Sequence, residues 1–175
     1  MNKKILSTVL ALSVVLLAVP NVYVACATPS THVSGTQLLN LFTGVTVLDQ
    51  LPAGKSDNLK LTTSITDTWI GDIAGTTTYE STWIVHDFDP GPPPGGTPNI
   101  HETIFFSTVS VLGKSGSLKL VVNLGGSKGV FSWTILSGTG ELANLHGNGI
   151  YYSTDVVDQN FNQVYVYEGQ VHFDP

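Results

Sequence analysis

Phe131-Ser-Trp-Thr-Ile-Leu-Ser-Gly-Thr-Gly-Glu-Leu-Ala-Asn-Leu-His-Gly-Asn-Gly149 is the stretch whose reading decides the fold class. It opens as a strand, with Phe131, Trp133 and Ile135 alternating against Ser132 and Thr134. It breaks at Gly138 and Gly140, turns through Glu141 to Asn144, and re-enters extended structure at Leu145. Glycines at 138, 140, 147 and 149 permit tight bends and close strand approach, because no Cβ stands in the way.

The same grammar extends in both directions. Threonine, valine, glycine and aromatics dominate after residue 28, and no window sustains a 3.6-residue apolar period. Short alternating runs between glycine turns predict an all-β domain, sandwich or barrel, with eight strands. They fall at about 33–42, 59–70, 73–86, 100–111, 116–124, 129–137, 145–152 and 163–173. Gly71-Asp72, Gly113-Lys-Ser-Gly116 and Gly125-Gly-Ser-Lys-Gly129 read as hairpin loops, which favour antiparallel neighbours. Leu48 to Asp57 reads as a longer surface connection. Phe88-Asp-Pro-Gly-Pro-Pro-Pro-Gly-Gly-Thr-Pro-Asn99 is too rich in proline to join a sheet. It reads as an extended loop: a tolerated insertion, a flap over one end, or a docking segment.

Lys3 and Lys4 precede an apolar-and-small run from Ile5 to Val19, and Ala25-Cys-Ala27 supplies the small residues that a signal peptidase reads. This pattern predicts a secretory signal peptide over 1–27, cut after Ala27, and a single domain over 28–175, secreted or associated with the cell envelope. Lipidation at Cys26 and an uncleaved anchor are the alternatives. Tyr23 is a poor residue three places before a lipidated cysteine, and Pro20 interrupts a run already short for a span. No later segment has the length and apolarity of a transmembrane helix.

The predicted domain holds five lysines, no arginine and thirteen acidic residues, a formal charge of 5 − 13 = −8. So few cations cannot neutralise a phosphate backbone or form a polybasic membrane patch, which excludes nucleic acid as a partner. The only cysteine lies in the predicted leader, so disulfides, thiolate catalysis and cysteine zinc sites are excluded for the domain.

Trp69-Ile-Gly-Asp-Ile-Ala-Gly75, Gly113-Lys-Ser-Gly-Ser-Leu118 and Ser137-Gly-Thr-Gly-Glu-Leu-Ala143 occur in this order and at a spacing that resembles a small uncharacterised β-barrel family grouped with allene oxide cyclase-like barrels. The resemblance covers about Leu59 to Asp174. It implies an eight-stranded antiparallel β-barrel of the allene oxide cyclase-like type and no cofactor. Better-known barrels of this shape cyclise or isomerise reactive lipids or polyketides, an analogy of fold alone. The resemblance also implies a glutamate on the fourth strand, where Phe105 stands here.

In such a barrel the apolar phase of each strand faces the lumen. Leu59, Leu61, Ile65 and Trp69 share a phase with Thr63 and Asp67, as do Ile73, Tyr79, Trp83 and Val85 with Ser81. The fourth strand offers His101, Phe105, Val109 and Val111 against Glu102, Ile104 and Phe106; the first set is taken as inward. Trp69, Tyr79, Trp83, Phe105, Trp133, Tyr151 and Tyr167 are thus the candidate ligand-binding residues, facing a small, largely apolar molecule. Asp67 is the candidate acid or base, because a carboxylate among Leu61, Ile65 and Trp69 is desolvated; His101 is its candidate partner.

Other patterns carry less. Gly138-Thr-Gly140 lacks the Lys-Ser/Thr of a phosphate loop, and the Gly-x-Ser-x-Gly spacing of Gly125 to Gly129 falls in a hairpin loop with no helix after it, so it is no nucleophile elbow. Asp155 and Asp158 to Asn162 resemble part of a calcium loop without its glycine or closing glutamate. Histidines 32, 86, 101, 146 and 172 show no metal-ligand spacing. Three functions follow as expectations: a lumenal binder of one small apolar molecule, a cofactor-free cyclase or isomerase using Asp67, and an extracellular interaction module without a ligand.

Overall fold

Alternation of β-branched and polar residues gives strands with one face to the interior, and eight of them close on themselves. A computed structural model describes residues 28–50, 58–89, 95–124, 129–160 and 162–175; the predicted leader lies outside these. The strands are β1 (Thr31–Gln50), β2 (Leu59–Gly71), β3 (Ile73–Asp89), β4 (Gly95–Val111), β5 (Lys114–Leu124), β6 (Val130–Gly138), β7 (Leu145–Val157) and β8 (Gln163–Phe173). Each pairs antiparallel with its neighbour in sequence, and β8 returns to β1, so the sheet is a closed eight-stranded barrel. Closure leaves no edge along the shared length of the strands.

Apolar side chains have one interior to fill, and they fill its two ends differently. At the end where β1 begins, Val33, Ile73, Val111, Leu118, Leu142 and Val171 are fully buried. Trp69 sits among Phe106, Tyr151 and Tyr167, with ring centroids 5.8, 6.1 and 4.9 Å away. The 131–149 stretch supplies the stopper. After β6, Gly140 takes a positive φ of 62° and starts a 3₁₀ turn, Gly140–Leu142, that drives Leu142 into the barrel end. Glu141 accepts the Ser115 amide at 2.9 Å and so ties that turn to the β4–β5 hairpin. The Trp133 indole occupies the gap left by Gly149 and Gly169 and donates to the Ile150 carbonyl at 3.2 Å.

Three strands run further than alternation indicates. β1 continues to Gln50 through register shifts after Leu39, Thr43 and Val47, each of which breaks the period-2 pattern that a sequence reading follows. β7 likewise extends to Val157. β4 begins at Gly95, so Pro98 lies within the strand, opposite Val85; this corrects the expectation of an unpaired loop over 88–99. Pro98 falls near the start of β4, two residues before Ile100, where the β4–β5 ladder begins among the described residues, and proline is tolerated best at a strand's beginning. Residues 90–94, with most of the prolines, lie outside the described residues.

Candidate functional site

Polar side chains enter the lumen on the strands where the apolar phase carries them. Gln37 from β1, Asp67 from β2, Ser81 from β3 and Glu102 from β4 are all buried. Asp67 Oδ2 accepts a hydrogen bond from the Tyr79 hydroxyl at 2.8 Å and another from the Gln37 amide. On the neighbouring strands the Ser81 hydroxyl donates to Glu102 Oε1, and the Trp83 indole N–H donates to Ser81 Oγ at 2.6 Å. Among the described residues, the buried atoms without a partner are Gln37 Oε1, Asp67 Oδ1, Glu102 Oε2 and the Trp69 indole nitrogen. The Trp69 indole still favours the ionised form of Asp67, but it is not placed for a hydrogen bond.

Burial dominates the electrostatics. It pushes the Asp67 carboxyl up to about 6, against the opposing pull of Tyr79 and Gln37. It pushes Glu102 up to about 7, with the Asp67 charge adding to the rise and Ser81 opposing it. Tyr79 and Tyr151 are raised well above the ordinary phenol value, first by burial and then by the same two carboxylates. Neither carboxylate has an ion-pair partner among the described residues; at the surface His146 and His172 both meet Asp174.

Beside this network lies a cavity of about 60 Å³. One water needs roughly 10–15 Å³, so the space suits several waters or one small ring. Gln37, Ile65, Tyr79, Glu102 and Tyr151 are its buried walls; half-buried Leu39, Trp83, Phe131 and Tyr165 line it as well. Phe131 and Tyr151 stack at 4.5 Å, and Tyr165 meets both edge-on.

The structure divides the residues singled out from sequence. Tyr79, Trp83 and Tyr151 line the cavity. Trp69, Trp133 and Tyr167 do not: they pack the closed end, where the Tyr167 hydroxyl is spent on Ile73, accepting from its amide at 2.8 Å and donating to its carbonyl at 3.0 Å. Asp67 is fully buried but sits off the cavity wall, in the network with Gln37 and Tyr79. Phe105 and His101 face outward, a correction: Phe105 is 53% exposed, and His101 Nδ1 pairs with Asn123 Oδ1 at 2.6 Å on the outer surface.

The cause is a register shift on β4 between Phe106 and Val109. A bulge of this kind flips the phase, so Glu102, Ile104 and Phe106 point inward before it and Val109 and Val111 point inward after it. The inward glutamate on β4 is therefore present, at Glu102. A usable signal lay in the hairpin partner: an unbroken ladder through Val111–Lys114 would set Phe106 against Lys119, whereas the apolar phase Leu118, Leu120 and Val122 calls for Phe106, Ile104 and Glu102 alongside. Gln37 carried no such signal. The Asp158 loop is an Asx turn, with the Asp158 carboxylate accepting from the Asn160 and Asn162 amides at 2.8 and 2.9 Å.

Among solved structures the chain is similar to a protein of unknown function of the DUF3224 family from Shewanella oneidensis MR-1. That match has 17% identity and a TM-score of 0.57, and covers 84% of this chain and 99% of that one. It is also similar to the pterocarpan synthase dirigent protein GePTS1, at 16% identity, TM-score 0.44 and coverage of 83% and 92%. For the pterocarpan synthase dirigent protein PsPTS1 the values are 17%, 0.41, 84% and 97%. No family profile matches the sequence, and no curated protein matches it. The likeness to an uncharacterised eight-stranded barrel agrees with the family resemblance read from the three motifs, and at this identity it speaks to fold alone.

Proposed function

We propose that this protein is an exported barrel that holds one small, largely apolar molecule in its lumen. The observation that carries the reading is the cavity itself, with aromatic walls at Trp83, Phe131, Tyr151 and Tyr165 and unpartnered polar atoms on its buried wall residues Gln37 and Glu102. Such atoms cost roughly 1–3 kcal/mol each when left unmet, and a ligand that meets them recovers that cost. Export rests on the leader pattern over 1–27. Native mass spectrometry after gentle purification, paired with displacement of a hydrophobic dye, tests the binding. A protein that carries no extra mass and releases no dye across a fragment library sinks it.

A second reading is a cofactor-free isomerase or cyclase, favoured by one observation: Glu102, pushed up to about 7 by burial, is a cavity-lining residue with one buried carboxyl oxygen left unpartnered. The acid–base role first assigned to Asp67 then belongs to Glu102, and Asp67 orients Gln37 and Tyr79. Turnover of a bound ligand that falls by roughly 10²–10⁴-fold in Glu102→Gln, with affinity kept, would establish it.

A further inference from the structure

Building on the ligand-binding reading, we propose that the cavity takes a small organic cation: a primary ammonium carried on one apolar ring, its N–H groups on Gln37 Oε1 and Glu102 Oε2. The argument begins with a count of donors. The Gln37 amide nitrogen is committed to Asp67, and the reverse orientation would set two acceptors against each other, so its carbonyl oxygen is the atom left over. Tyr79 spends its hydroxyl proton on Asp67, Ser81 on Glu102, and Trp83 its indole proton on Ser81. On Gln37 and Glu102 what is left over is acceptor, and the unmet Trp69 indole N–H lies off the cavity wall. A ligand that satisfies them must bring several donors on one atom.

Charge selects among such ligands. Asp67 and Glu102 are buried with no cationic side chain in ion-pair contact among the described residues, and Lys60, Lys114 and Lys119 all lie on the outer surface. A neutral alcohol would meet one acceptor and leave the charge uncompensated. An ammonium offers three donors and the missing positive charge, and the faces of Trp83, Phe131 and Tyr165 suit both a cation and the ring that bears it.

Burial, the largest effect, and the Asp67 charge from β2 keep Glu102 protonated up to about 7, while Tyr79 from β3 and exposed His101, its neighbour on β4, favour its charge. Tyr151 and Tyr165, from β7 and β8, are acids that the Glu102 charge pushes up in turn. A bound ammonium therefore draws the proton off Glu102, and its affinity rises as pH climbs through about 7.

Calorimetric titration of the full domain with benzylamine, benzyl alcohol and toluene, at pH 8 and pH 5.5, tests the proposal. Benzylamine is expected to bind at pH 8 at least about tenfold more tightly than the alcohol, and to lose about tenfold at pH 5.5. Glu102→Gln should abolish that preference while the variant keeps a cooperative thermal transition and its weak affinity for toluene. Alcohol or toluene binding as tightly as benzylamine at pH 8 overturns the cation and leaves the apolar-ligand reading standing. Amine affinity unchanged in Glu102→Gln overturns it too. Failure of all three probes overturns it as well, and a negative dye displacement beside that result removes ligand binding altogether.

Discussion

The Tyr79 hydroxyl donates a hydrogen bond to Asp67 at 2.8 Å, and this bond separates two carboxylates that the burial pattern makes look alike. Tyr79 lines the cavity and Asp67 does not, while Glu102, two strands away on β4, does. One carboxylate thus holds its neighbours in place and the other faces whatever enters. A sequence reading sees an inward Asp67 and ranks it first; the wall of the cavity ranks Glu102 first.

Stability should fall as pH rises, the reverse of the usual acid-labile pattern. Asp67 and Glu102 ionise in the unfolded chain at 3.8 and 4.5 but in the barrel only at about 6 and about 7. The folded state therefore holds more protons between about pH 4 and pH 7. The barrel loses stability across that window, on the order of 2 kcal/mol or more for each group, and levels off above it. Thermal denaturation from pH 4 to pH 8 should show a midpoint that declines by several degrees. Glu102→Gln, which still accepts from Ser81, should raise the midpoint at pH 8 and flatten the profile. A wild-type midpoint that climbs over this range contradicts the assignment.

Tyr167→Phe should cost stability without touching the ligand. Its hydroxyl accepts from the Ile73 amide and donates to the Ile73 carbonyl at the closed end, so the phenylalanine leaves two buried backbone groups unmet. A loss of roughly 1–3 kcal/mol in a urea titration is expected. Affinity for any lumenal molecule should stay within about twofold, since the ring keeps its place in the packing.

His101→Ala and Phe105→Ser should leave both stability and ligand affinity near wild type, because both side chains lie on the outer surface. The contrast with Glu102→Gln separates the two phases of β4 by experiment. If His101→Ala abolished binding and Glu102→Gln did not, the inward set would be the one that simple alternation picks.

The fold was legible because its grammar is local. Phe131, Trp133 and Ile135 alternate, Gly138 to Leu145 turns, and the same pattern recurs along the chain. Closure was not local: the β1–β8 ladder joins residues such as Val33 and Gly169, whose pairing no short window records. The site was half legible for a related reason. Asp67, Tyr79, Trp83 and Tyr151 sit on strands that hold one phase through the lumen, so alternation places them correctly. Glu102 precedes a bulge whose only trace is the apolar phase of a different strand. Gln37 sits on β1, whose period breaks beyond Leu39, and a glutamine carries no mark of burial.

Gly169→Ala tests the stopper at the closed end. A Cβ at Gly169 would stand 2.3 Å from the Trp133 indole and 2.5 Å from the Asn148 carbonyl oxygen, both inside any real contact distance. Trp133 is fully buried and hydrogen-bonded to Ile150, so it has nowhere to retreat, and β7 must shift instead. Overpacking of this kind costs roughly 1–3 kcal/mol, and the backbone contact places this site at the upper end. Trp133→Phe alone should also destabilise, by leaving a void and removing the indole hydrogen bond to the Ile150 carbonyl. Together the two changes should cost less than their sum, because the smaller ring vacates the space that the new methyl needs. The rescue should be partial, since the Asn148 carbonyl stays where it is. A strictly additive pair in a double-mutant cycle would mean that the glycine serves the strand backbone alone and that Trp133 does not depend on it.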